Sequence, residues 1–100
     1  MKYDKLVRDR IIEIIEAKGE VAKWHVADDA EYRMKLRRKL LEEVEEFLAA
    51  ESVEEMADVF EVIDALLTLK GWKREDVLKA QQEKRLKRGG FDGRIILEES

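Results

Sequence analysis

Between residues 42 and 64 the chain carries ten acids and not one base, on a segment whose apolar residues recur at helical spacing. Like charges one turn apart repel on a helix. Such a block must therefore lie on solvated faces or be drawn onto a cation. The flanks have the opposite sign. Arg33, Lys35, Arg37, Arg38 and Lys39 precede the block with no acid after Glu31, and residues 70–94 hold nine bases against four acids. Solvated helix faces linked by salt bridges explain much of this. An acidic patch rimmed by bases also suits a metal–polyphosphate ligand. Charge alone weighs the two readings equally.

The apolar pattern shows which helices carry these charges. In residues 6–17, Leu6, Val7, Ile11, Ile14 and Ile15 are helically spaced, with Asp4 as a cap and Gly19 as a stop. Residues 29–50 carry an amphipathic stripe of Leu36, Leu40, Val44, Phe47 and Leu48. Ser52 then opens "SVEE", a capping box in which Glu55 can reach back to the backbone. The helix that follows, to about residue 69, is apolar on much of its circumference and should be buried on more than one side. Gly71 ends it. A fourth helix over 73–87 is closed by Gly89 and Gly90. Residues 21–26 and 94–97 have the composition for a minor pair of short strands. The expectation is an all-α bundle of about four helices, in one compact domain spanning 1–100. A chain this small, with so apolar a central helix, gains from oligomerisation, so a homo-oligomer (dimer or tetramer) is expected.

Composition removes several functional classes. With no Cys there is no disulfide scaffold, thiolate zinc site or cysteine nucleophile. At 45% hydrophobic residues the chain is too apolar to stay disordered. No apolar run approaches the ~18 residues of a membrane span. Lys2, Asp4 and Lys5 put charges where a signal peptide has its apolar stretch. A cytoplasmic protein with no membrane partner is expected.

Acid spacing narrows the chemistry. On a helix, residues three apart share a side. Glu43 and Glu46 pair in this way, as do Glu42 and Glu45, and Lys39, Glu43, Glu46 and Ala50 share one flank. On the next helix Glu55, Asp58, Val62, Ala65 and Leu69 form one stripe. Its last three members are apolar, so its first two carboxylates point where apolar residues belong. Burying an unpaired carboxylate is costly; a cation, basic partners or exposure at the helix end would compensate. Glu55 taken alone is better explained as a cap partner and first-turn charge. Two helices joined by a short turn, however, can converge all four acids in an antiparallel hairpin. Hard oxygen ligands suit magnesium or manganese.

At this point the sequence resembles a known family. "EEVEEF" (42–47) followed by "EEMADVFEVIDAL" (54–66) resembles the Glu-x-x-Glu, spacer, Glu-x-x-Asp motif of the MazG-like nucleotide pyrophosphohydrolases. "YDKLVRDRI" (3–11) and "EKRLKRGGF" (83–91) resemble its short phosphoribosyl-ATP pyrophosphohydrolase-like branch. The likeness covers nearly the whole chain. It implies metal ligands at Glu43, Glu46, Glu55 and Asp58, with Glu42 matching the family's additional first Glu. Glu61 and Asp64 form a second Glu-x-x-Asp deeper along the helix, but "EEMADV" matches the family better. The chain departs from the pattern in its short spacer, eight residues between Glu46 and Glu55, and in Ile12, where this branch often has Pro.

The implied reaction is magnesium-dependent hydrolysis of a nucleoside triphosphate between the α and β phosphates, giving a monophosphate and pyrophosphate, as in nucleotide-pool house-cleaning. Manganese is the alternative cofactor. Glu42 or Glu46 would take a proton from the attacking water. Lys5, Arg8, Lys39, Lys84 and Arg88 would neutralise phosphate, and Trp24 or Tyr3, less readily Trp72, would wall the base. His25, the lone His, reads as structural. The rival reading is a non-catalytic helical interaction or regulatory module. Overall acidity argues against a nucleic-acid partner.

Overall fold

The computed structural model describes residues 4–100; Tyr3 lies outside the described residues. Four helices follow in order: α1 (Ile11–Ala17), α2 (Asp29–Ala49), α3 (Val53–Lys70) and α4 (Arg74–Arg88). No strand forms among the described residues. The all-α expectation holds. Residues 21–26 and 94–97 do not pair, and Val21, Val26, Ile95 and Ile96 are exposed. β-branched content makes a strand only where a packed neighbour supports it.

Local chemistry sets most helix ends. Asp28 Oδ1 accepts from the Glu31 N–H at 2.9 Å to start α2. Ser52 Oγ accepts from the Glu55 N–H at 3.1 Å to start α3. Gly71, at φ +71°, closes α3: its N–H donates to the Thr68 carbonyl and the Trp72 N–H to the Leu67 carbonyl. This is a Schellman motif, whose left-handed residue favours glycine.

The start of α1 departs from the sequence reading. The helix begins at Ile11, and residues 4–10 are not helical. Asp4 is not a cap; it has φ +45°, and its carbonyl accepts from Lys35 of α2. Leu6 and Val7 instead line a cleft against α2 and α3. Their apolar character serves a tertiary contact rather than a helical stripe.

Residues 50–52 join α2 and α3 into a hairpin, the pair of helices in extensive contact among the described residues. Leu36, Val59 and Val62 are its buried apolar side chains, with Leu36 only 1% exposed. After Gly71 the chain leaves the hairpin. An ion pair between Arg74 and Asp64 ties down the start of α4, while Leu86 and Phe91 farther on are exposed. The radius of gyration is 18.0 Å, against roughly 13 Å for a compact chain of ~100 residues. The single chain is thus elongated, because its last third makes no extensive contact with the hairpin. Among the described residues no helix is long and apolar enough to cross a membrane.

Candidate metal centre

The hairpin brings acids of its two helices together. Oxygens of Glu43, Glu55 and Asp58 lie within 4.8 Å of one another, and so do oxygens of Glu42, Glu43 and Glu46. Glu43 belongs to both groups and is the hub. It sits on the flank of α2 that also carries Leu36 and Lys39, and it is 6% exposed. Glu55 and Asp58 come from the first turns of α3. The forward half of the Ser52 capping box is made, while the Glu55 carboxylate joins the acid group. Glu46 meets the α2 group rather than the Glu55–Asp58 group. Glu45 takes no part in either.

Three cations face these acids. Lys39 Nζ lies 3.2 Å from Glu43 Oε1 and 3.5 Å from Glu42 Oε1. Lys5 Nζ donates to Glu42 Oε1 at 3.0 Å, and Arg8 Nη2 to Asp58 Oδ1 at 2.6 Å. Even so, Glu43 Oε2 and Glu55 Oε2 are buried with no hydrogen-bond partner among the described residues. Burial without a donor is the costly state for a carboxylate oxygen.

The same crowding moves proton affinities in opposite directions. Glu46 is held above the usual carboxylate range, first by a hydrogen bond with Glu43 and then by the charge of Glu43. Two carboxylates this close repel when both are charged, which favours the protonated form of one. Glu42 is held below the usual range, chiefly by the hydrogen bond from Lys5. Lys5 is raised in turn by Glu42.

Beside the acids runs a cleft of about 530 Å³ between residues 6–10, α2 and α3. Arg8, Lys39, Glu43 and Asp58 line it, as do Tyr32 and Glu61, which the sequence reading did not select as binding residues. Tyr32 was findable: it extends the flank of Leu36, Lys39 and Glu43 upstream by one more helical step. Asp64, of the alternative acid pair, is engaged by Arg74.

The remaining expected binding residues lie elsewhere in the single chain. Trp24 is 58% exposed and does not line the cleft. Lys84 and Arg88 are exposed on α4, which Gly71 directs away from the hairpin. Trp72 is exposed at that turn. His25 Nε2 lies 2.8 Å from Glu31 Oε1, outside the acid groups.

Hard carboxylate oxygens on two helices, two of them buried without a donor among the described residues, fit a magnesium-like ion. Comparison with known proteins finds no matching family model, no matching curated protein and no matching solved structure.

Proposed function

We propose that the chain is a magnesium-dependent nucleotide pyrophosphohydrolase of the MazG-like kind. The observation that carries the reading is Glu43: a nine-tenths-buried carboxylate whose Oε2 lacks a donor among the described residues, amid acids from both helices of the hairpin. Glu43, Glu55 and Asp58 would hold the metal, with Glu46 and Glu42 at its outer edge. A magnesium ion there would supply Lewis-acid polarisation and a charged template for the phosphate chain.

The other roles fall to the chain's own side chains. Lys5, Arg8 and Lys39 neutralise phosphate oxygens. Tyr32 offers an aromatic wall in the cleft. Hydrolysis adds one water across the bond between the α and β phosphates, and Glu46 accepts its proton. Of the two candidate bases Glu46 fits better, because Lys5 and Lys39 already engage Glu42 Oε1, at 3.0 and 3.5 Å. The test is incubation with a panel of nucleoside triphosphates and phosphoribosyl-ATP in magnesium, with products separated by chromatography. A monophosphate plus pyrophosphate, lost on chelation, is the expected result. No turnover of any member would sink the enzyme reading.

A homo-oligomer forms part of the proposal. Each helix of the hairpin has a second apolar stripe, well round from the acids: Met34, Leu41, Val44 and Leu48 on α2, and Val53, Met56, Phe60, Ile63 and Leu67 on α3. The steps of three, four and seven are those of a packing seam. Leu41, Leu48, Val53 and Phe60 are more than half exposed. Light scattering after size exclusion should give at least twice the single-chain mass. Leu41→Glu with Phe60→Glu should return it to one chain; an unchanged mass would exclude this seam. The same stripes favour the second reading, a non-catalytic interaction module, which predicts association without turnover.

A further inference from the structure

We propose that residues 4–10 form a strap whose Arg8 occupies a carboxylate a divalent cation requires and whose Lys5 holds the flanking Glu42, so that metal entry and strap release are one linked event. The proposal deepens the metal reading above and rests on it.

The strap is pegged at its start. Lys35 Nζ donates to the Asp4 carbonyl at 2.6 Å and lies 3.5 Å from Asp4 Oδ2. Only 10% of the Lys35 side chain is exposed. A buried ammonium is stable only where acceptors replace its water, and Asp4 provides them. Asp4 does so with a left-handed backbone, uncommon outside glycine. The next residue, Lys5, reaches Glu42, and Arg8 reaches Asp58. Half-buried Leu6 lies between them in the cleft. The strap thus fastens to α2 at its start and to α3 through Arg8.

Charge shows why this arrangement is poised. Five carboxylates, Glu42, Glu43, Glu46, Glu55 and Asp58, face three cations, Lys5, Arg8 and Lys39. Fully ionised, the cluster carries two negative charges in excess, which one divalent cation would balance. The geometry still opposes its entry. Magnesium demands short, directional bonds at about 2.0–2.1 Å, and Arg8 already holds Asp58 Oδ1 at hydrogen-bond distance. A metal taking that oxygen must displace a guanidinium whose preferred alternative is a phosphate. Lys35, far from the carboxylates in role, is a positioning residue: it sets where the strap begins.

Linkage makes the idea testable without turnover. If strap and metal compete, weakening the strap tightens the metal. Manganese binding to the full chain, without nucleotide, should be measured by titration calorimetry and electron paramagnetic resonance. Arg8→Gln and Lys5→Gln should each bind manganese roughly 5-fold or more tightly than wild type. Lys87→Gln removes the same charge from α4 and should leave affinity unchanged. Amide exchange over residues 5–8 should quicken when manganese is added to wild type, and should already be fast in Lys35→Met without metal. Manganese bound with equal or lower affinity in both strap variants, or unchanged exchange, overturns the strap while leaving the metal centre standing. No manganese binding by wild type or any variant overturns both.

Discussion

On the proposed reading wild type should turn over nucleotide with metal and gain Tm from magnesium or manganese, and Glu43→Gln is expected to abolish both. The reason is position. Glu43 is common to both acid groups and is the most buried member of either. Even groups that only orient a metal's ligands are worth about 10–100-fold, so losing the hub should cost at least about 100-fold. A metal at 100 times its Kd stabilises the folded chain by about 2.7 kcal/mol. For a chain of ~100 residues this raises Tm by roughly 10 °C or more. Without metal the variant should melt within a few degrees of wild type, because the amide keeps the shape and removes one charge from a crowded set. Thermal melts with and without metal, beside chromatographic assay, measure both effects. A Glu43→Gln protein that still turns over, or still gains the full Tm shift, would remove this residue from the centre of the site.

Leu36→Ala carries the second large effect, on stability. Leu36 is the most fully buried side chain, and with Val59 and Val62 it makes up the buried apolar set of the described residues. Truncating a buried Leu costs about 2–5 kcal/mol through lost transfer energy and the cavity left behind. Single domains have only about 5–15 kcal/mol in total. In so thin a core the substitution should remove much of the stability and lower the urea midpoint accordingly. It should also weaken metal binding, because Leu36 lies on the same flank of α2 as Lys39 and Glu43 and lines the cleft with them. Urea titrations at several protein concentrations would separate this loss from oligomer dissociation. A loss below about 1 kcal/mol would mean that the stability of the protein lies elsewhere.

The sequence by itself determined what depends on neighbours a few residues away. Helix ends at Asp28, Ser52 and Gly71 follow from side-chain caps and a left-handed glycine, which act within one turn. The pairs Glu43–Glu46 and Glu55–Asp58 share helix faces because any residues three apart do. The stripe of Leu36, Leu40, Val44, Phe47 and Leu48 on α2 was legible in the same way, but only its Leu36 is fully buried, and Val44 and Leu48 are exposed in the single chain. Tertiary structure alone decided everything that joins distant residues. Arg8 meets Asp58 across fifty positions, and Lys35 meets Asp4 across thirty-one. Leu6 and Val7, helical by spacing, instead line the cleft against α2 and α3, a contact that no neighbour in sequence specifies. Trp24, Lys84 and Arg88 stand outside the cleft because nothing local to them specifies which way a loop or a helix after Gly71 will point. Periodicity records which face of an element is apolar; only packing chooses the surface that face meets.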